Sequence, residues 1–234
     1  MNLIALETSS HRISAALWCN GAVSERAENL PNGGSERLLP WVTELLADAG
    51  IGMRDLNGVA FGTGPGGFTG LRLACGVAQG LAMGLDLPVV GVSTLEALVF
   101  AAHAACGKEN FFACIDARMN EVYYVPCTVC DGLPEMLSAP AVAAPQLVLP
   151  PPGTGWVGIG DGFAAYPDVL RRVLADAVVE FHADIWPTAA SVACIAVQRL
   201  ARGEGVDAAL ALPLYVRDKV ALTTAERLAR GGVK

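Results

Sequence analysis

The run Gly62-Thr63-Gly64-Pro65-Gly66-Gly67-Phe68-Thr69-Gly70-Leu71-Arg72 constrains this chain more than any other stretch. It follows the short apolar run Val59-Ala60-Phe61 and opens into a small-residue segment reaching about Gly84. A strand, a glycine-rich turn and a helix start, in that order, aim backbone N–H groups at an anion. Glycine admits positive φ and a close neighbour, so Gly62, Gly64, Gly66 and Gly67 are candidate anion-loop residues. The run lacks both the Lys-Ser/Thr ending of a P-loop and the spaced acid of a dinucleotide fingerprint. A purely structural turn is therefore the alternative. Phe68 is out of place in a phosphate cradle and reads as a contact with another chain or subdomain.

The helix expected over Thr69 to Met83 carries Gly76, Gly80 and Gly84 at four-residue spacing, near one face. Such a stripe lets a second helix backbone approach closely. Tight packing on the domain's own sheet is the plainer account, but Leu73, Val77 and Leu81 already supply an apolar face for that. The stripe thus points to a helix–helix contact with a second chain. Phe68, Thr69, Arg72, Leu73, Gly76, Val77, Gly80 and Gly84 are its candidate residues.

A chain of 234 residues with 53% apolar and 17% charged residues can bury a sizeable core in one large or two small domains. The net charge of −7, with no basic run, argues against tight independent binding of nucleic acid. Met1–Glu7 reads as a strand, not a secretory leader, and no uninterrupted apolar stretch reaches the ~20 residues of a bilayer span. A soluble, cytoplasmic protein with no membrane contact is expected. Seven cysteines in mostly apolar surroundings read as reduced, buried thiols. Cys127-Thr128-Val129-Cys130 has C-x-x-C form, without the helix start or second pair that redox or zinc chemistry needs.

Along the chain, strands are expected at Asn2–Leu6, Ile13–Cys19 and, after the hairpin signal Asn20-Gly21, Val23–Asn29. Ser35 can cap a helix with Leu38, Leu39, Val42, Leu45, Leu46 and Ala49 in helical phase, with Pro40 tolerable in about its first turn. A strand at Gly58–Phe61, the glycine loop with its helix, a strand at Pro88–Val92 and a helix opened by the capping box Ser93–Glu96 follow. This β-β-β-α-β-α-β-α order is that of a ribonuclease-H-like or actin-like half-domain, filling residues 1–105. A second, smaller unit, 106–234, holds strands Phe111–Ile115, Glu121–Val125 and Trp156–Ile159, with helices through Leu174 and over Ala189–Arg202. Residues 140–152 read as a loop excursion, and Thr224–Lys234 as a weak polar tail. The expected class is α/β, with two actin-like (ASKHA) subdomains, each a mixed sheet with helices.

In such folds a carboxylate closing the first strand holds a metal, and the hairpin after it holds phosphate. Glu7-Thr8-Ser9-Ser10 stands in that place, with Asp116-Ala117-Arg118 as its counterpart in the second half. The plainer account of Glu7 is a strand-end acid bonded to the following turn. His11, His103 and His182 are far apart and form no ligand spacing. No nucleophile elbow occurs. The expectation is no catalytic residue and no metal.

The residues Gly62-x-Gly-Pro-Gly-x-Phe-Thr-Gly-Leu-Arg72 resemble the signature of the TsaB family, accessory subunits for threonylcarbamoyladenosine modification of tRNA. Ile4–Ser9, Leu38-Leu39-Pro40, Gly91–Leu95, Ile115–Met119 with Glu121–Tyr123, and Pro213-x-Tyr215-x-Arg217 extend the match nearly end to end. The resemblance implies an actin-like, ASKHA-type scaffold that pairs with a TsaD-type catalytic subunit, with a TsaE-type ATPase and tRNA joining the assembly. It places dimerisation or pairing on the glycine-striped helix and the helix near Ser35–Leu46. It also implies a homodimer when the chain is alone and no cofactor bound by the chain alone, with ATP or ADP at the partner interface as the open alternative. Gly67 stands where the family usually has Ser, and Gly33–Glu36 replaces a more polar segment. Against this stands an independent enzyme, either a phosphotransferase of the same fold or a glycoprotease-like peptidase.

Overall fold

The computed structural model describes residues 1–30 and 34–217. Strands β1 (Asn2–Glu7), β2 (Arg12–Cys19), β3 (Ala22–Asn29), β4 (Gly58–Gly64) and β5 (Val89–Ser93) form one mixed sheet in the order β3-β2-β1-β4-β5. β1 is central and buried from Leu3 to Glu7, as a near-continuous apolar run requires. Asn20 and Gly21 both take positive φ, 50° and 86°, so the β2–β3 turn is of the tight kind their sequence predicts. Helix α1 (Ser35–Asp48) starts from Gly34 with no side-chain cap, and Pro40 sits in its second turn, further in than expected. Helix α2 (Phe68–Leu85) lies against β4 and buries Leu71, Ala74, Cys75, Ala78 and Ala82. Helix α3 (Thr94–Cys106) opens on the expected capping box, Ser93 with Glu96.

The second sheet consists of β6 (Asn110–Arg118), β7 (Glu121–Cys130), β8 (Leu133–Met136), β10 (Trp156–Ile159) and β11 (Val178–His182), in the order β11-β10-β6-β7-β8. A short strand, β9 (Ala141–Ala143), adds to β7. Helices α4 (Gly162–Ala165) and α5 (Pro167–Val173) precede β11, and α6 (Ala189–Ala201) follows it. Read from the other edge, this sheet repeats the first strand for strand: an antiparallel three-strand meander, then two parallel strands. The second half was expected to be the smaller unit, and strands β8 and β11 were not among those expected in it. Both are short, and neither alternates cleanly in burial.

The sheets change between residues 105 and 110, but the cores do not divide there. Leu95, Leu98, Val99 and Ala102 of α3 pack with Phe111, Ala113, Tyr123 and Val125 of the second sheet. Conversely, Ala189, Val192, Ala193 and Ala196 of α6 pack with Leu3, Ala5, Ala16 and Ala60 of the first. Each half lends its last helix to the other half's sheet. The stretch from Leu210 to Arg217 then returns along α2 and reaches the β6–β7 turn.

α2 is the one described helix whose 18 residues and mean hydropathy of 1.2 reach the scale of a bilayer span. It corrects the expectation that no such stretch exists. Its inner face, however, is committed to β4, and Arg72 and Gln79 interrupt it.

Candidate functional site

The strands of both sheets end at one cleft. β1 delivers Thr8–His11, β4 leads into the start of α2, β6 delivers Asp116–Arg118, and β10 leads into Gly160-Asp161. The carboxyl ends of parallel strands are where open α/β sheets place ligands. The cleft encloses a cavity of about 460 Å³, walled by those segments together with Thr94 and Trp186.

Of the six candidate loop residues, Glu7, Gly62 and Gly64 do not line this cavity. Glu7 is fully buried beneath it; its Oε1 accepts from the Ser9 amide at 2.7 Å, and its Oε2 has no hydrogen-bond partner among the described residues. Burial pushes its carboxyl above the usual range, against the lowering effect of hydrogen bonds from Ser9 and the Thr8 backbone. A Cβ on Gly62 would overlap this carboxylate, and one on Gly66 would lie 2.6 Å from the Ser9 carbonyl. Gly64 takes φ +113° and lies beside Leu71 and the Leu214 carbonyl. The Gly67 amide donates to the Ser9 carbonyl at 2.7 Å, and Thr8 Oγ1 donates to the Gly70 carbonyl at 2.6 Å. Glycine is demanded at Gly62 by the Glu7 carboxylate and at Gly66 and Gly70 by the β1–β2 turn, whereas a Cβ on Gly67 would lie 3.3 Å from the Ser9 carbonyl. Thr8, Gly66 and Gly67 border the cavity; Gly62 and Gly64 do not.

The opposite wall is acidic. The Asp116 amide donates to Asp161 Oδ1 at 2.9 Å, and Asp116 Oδ1 accepts from the Arg118 amide at 2.9 Å. Arg118 also pairs with Asp116 Oδ2 at 3.1 Å, as the sequence allowed. Burial is the main force raising the Asp161 carboxyl, with the Asp116 charge adding and its amide bond, Arg118 and His11 opposing. Asp161 was missed at the sequence level; its signal is the Gly160-Asp161-Gly162 turn that duplicates the first half's strand-to-helix turn. His11 stacks edge-on against Trp186 at 4.3 Å between ring centroids. His103 Nδ1 lies 2.6 Å from the Lys108 carbonyl, and His182 Nε2 lies 2.7 Å from Glu180. Among the described residues, no three His, Cys, Asp or Glu side chains gather to hold a metal. Cys127 and Cys130 are both free thiols three apart on β7, so they face opposite sides of the strand, one buried and one exposed.

The second candidate surface is the outer face of α2. Gly76, Gly80 and Gly84 are exposed, and a Cβ on any of them would meet nothing within 4 Å among the described residues. Met83 beside them is 68% exposed. Leu73 and Val77 are half-buried against the chain's own core. Phe68 and Arg72 are exposed and also meet the C-terminal segment. Phe68 stacks on Tyr215 at 5.4 Å, Arg72 lies 3.7 Å over the Phe68 ring, and Arg72 Nε donates to the Tyr215 hydroxyl at 3.2 Å. Thr69 is exposed at the end of the helix and lines the cleft.

A family profile described as TsaD, tRNA N6-adenosine threonylcarbamoyltransferase, fits residues 32–225. The tRNA threonylcarbamoyladenosine biosynthesis protein TsaB of Escherichia coli K12 is 36% identical over 228 residues, covering 94% of this chain and 96% of its own length. The protein of the same name in Haemophilus influenzae is 33% identical over 229 residues, covering 94% and 95%. The solved structure of YeaZ from Pseudomonas aeruginosa superposes with a TM-score of 0.86 at 38% identity, covering 92% of this chain and 99% of that one. Similarity of this extent, over nearly the whole length of both partners, places this chain in the TsaB family.

Proposed function

We propose that the chain serves tRNA threonylcarbamoyladenosine biosynthesis as a non-catalytic subunit that pairs with a TsaD-type catalytic subunit through the outer face of α2. The observation that carries the pairing is the open face itself. Three exposed glycines at four-residue spacing leave a helix backbone bare, with no atom of the described residues over them. Leaving glycine in a helix costs about 0.5–1 kcal/mol per position relative to Ala. A solvent-facing stripe with no partner gains nothing in return. Close approach of a second helix is the compensating gain.

The non-catalytic role is supported by how the titratable groups are engaged. Each histidine is spent on a local contact, and Glu7 is sealed under Gly62 with one oxygen on the Ser9 amide. The net charge of −7 favours contact with tRNA through more basic partners, with a TsaE-type ATPase joining the same assembly. In isolation the same α2 face is offered to a second copy of the chain. Work on tRNA fits a cytoplasmic setting.

Light scattering on a sizing column, with the chain alone and then mixed with a TsaD-type subunit, tests this reading. The expected result is a homodimer that exchanges into a mixed pair, and Gly80→Leu is expected to remain folded while losing both. Retained pairing by Gly80→Leu would sink the α2 assignment. Failure of any mixed complex at micromolar concentrations would turn attention to the cleft carboxylates Asp116 and Asp161 and an independent phosphotransferase or peptidase.

A further inference from the structure

Beyond α6, residues 206–217 run as a strap along the first half before they reach the second. Val206 exchanges backbone hydrogen bonds with Val89 of β5 at 2.9 Å, and the Ala211 carbonyl accepts from Gln79 of α2 at 3.1 Å. The Leu214 amide donates to the Thr63 carbonyl at 2.8 Å. Thr63 lies outside the β4–β5 ladder, whose register slips between Gly62 and Gly64, so a bulge leaves its carbonyl to the strap. Tyr215 and Val216, adjacent in sequence, then go to opposite halves. Tyr215 stacks on Phe68 at 5.4 Å and accepts from Arg72 at 3.2 Å, while Val216 packs on the core of the second sheet. Arg217 donates to the Ala117 carbonyl at 3.0 Å and to Glu121. Within four residues the strap ties the start of α2 to the β6–β7 turn. A cavity of about 190 Å³ lies between them, and its walls Phe68, Ala117 and Arg118 are also walls of the cleft.

We infer that the strap is a latch on the cleft: residues 214–217 hold the start of α2 and the β6–β7 turn together, and their release lets the two walls part. The contacts are of the kind that opens first. Leu214 and Tyr215 are 40% and 44% exposed, Arg72 is exposed, and hydrogen bonds in reach of water are individually weak. The strands they join are buried along nearly their whole length, β1 in one sheet and β6 in the other. Opening the strap therefore costs far less than unfolding either half. Release reaches the acidic wall directly. The Arg118 amide rests on Asp116 Oδ1 and the Asp116 amide on Asp161 Oδ1, each at 2.9 Å, and the turn they belong to is gripped by Arg217. The latch belongs to the isolated chain and stands whether or not α2 pairs with a partner.

Amide hydrogen exchange on the full chain, read residue by residue by NMR, tests this. Tyr215→Ala removes a side chain whose ring and hydroxyl partners are both on α2. It should nonetheless speed exchange of the Asp116 and Arg118 amides, in the second half, by about tenfold or more, with the amides of β1 and of the middle of α6 unchanged. Tyr215→Phe keeps the ring on Phe68 and loses only the hydroxyl, so it preserves the fold and should give a severalfold effect at the same amides. In return, Arg217→Ala should speed exchange of the Leu71 and Arg72 amides of α2. Combining Tyr215→Ala with Arg217→Ala should add little to either, because one released end already opens the latch. An effect of both Tyr215 variants confined to α2 and the strap would overturn the proposal. So would effects of the two alanine variants that multiply as independent contacts do. Equal acceleration throughout β1 and α6 would make the strap a part of the global fold, and that too would overturn the latch.

Discussion

Glu7 holds its one bonded oxygen on the Ser9 amide and its other against Gly62, with no water-accessible surface. Because burial raises its pKa above the ordinary 4.5, the folded chain binds more protons than the unfolded chain just above that value. Stability contributed by the protonated acid is therefore present below the unfolded pKa and lost as pH rises through the folded one. Glu7→Gln should raise stability at neutral pH by on the order of 1–3 kcal/mol, the cost of one unsatisfied buried polar group. That advantage should shrink toward pH 4.5 in denaturant titrations run across the range. Gly70 offers the opposite case. A Cβ there would overlap the Thr8 carbonyl, so Gly70→Ala should cost about 1–3 kcal/mol or more, measured the same way. That Glu7 is a strand-end acid bonded to its turn was readable from Glu7-Thr8-Ser9; that Gly62 exists to clear it was not, since the two lie far apart in sequence.

At the scale of elements, α2 carries two faces with opposite demands. Leu71, Ala74, Cys75, Ala78 and Ala82 give the inner face its small, close packing on β4, while Gly76, Gly80 and Gly84 look outward. Gly76→Ala and Gly80→Ala should each stabilise the isolated chain by about 0.5–1 kcal/mol through helix propensity. The same changes should weaken pairing with a TsaD-type subunit, read by light scattering against the single-chain melting data. A stripe that served only the chain's own fold would not give these opposite signs. The helix itself, its start at the glycine loop and its stripe were legible from spacing alone. The destination of Phe68 was not. Its ring meets Tyr215, far along the chain in the second half.

The whole molecule is two copies of one strand plan held together by exchanged helices and a returning C-terminal segment. Arg217 belongs to that segment: its Nη2 donates to the Ala117 carbonyl at 3.0 Å and to Glu121 at 2.5 Å, and its guanidinium lies 5.7 Å from the Tyr123 ring. It grips the turn where Arg118, Met119 and Asn120 all take positive φ, 59°, 56° and 60°. Three consecutive left-handed residues without glycine need support from outside the turn. Arg217→Ala should cost about 1.5–3 kcal/mol, the scale of hydrogen bonds to charged groups, and should speed amide exchange in the β6–β7 turn. Lys at the same position should restore little, since it lacks the planar fork that spans a carbonyl and a carboxylate.

Local chemistry in the chain determined its elements: the Asn20-Gly21 hairpin, the Ser93–Glu96 capping box, the glycine loop with its helix, and the first half's β-β-β-α-β-α-β-α order. These depend on residues within a few positions of one another, where φ preference, capping and hydrophobic period act directly. Tertiary structure alone decided that α3 and α6 change places between the sheets and that the loop glycines serve close packing. It also brought Ser9, Thr94, Asp116 and Asp161 to one cavity. The reason is that apolar burial is non-directional. A helix such as α6 is apolar enough to cover either sheet, and only the joint packing of both selects which.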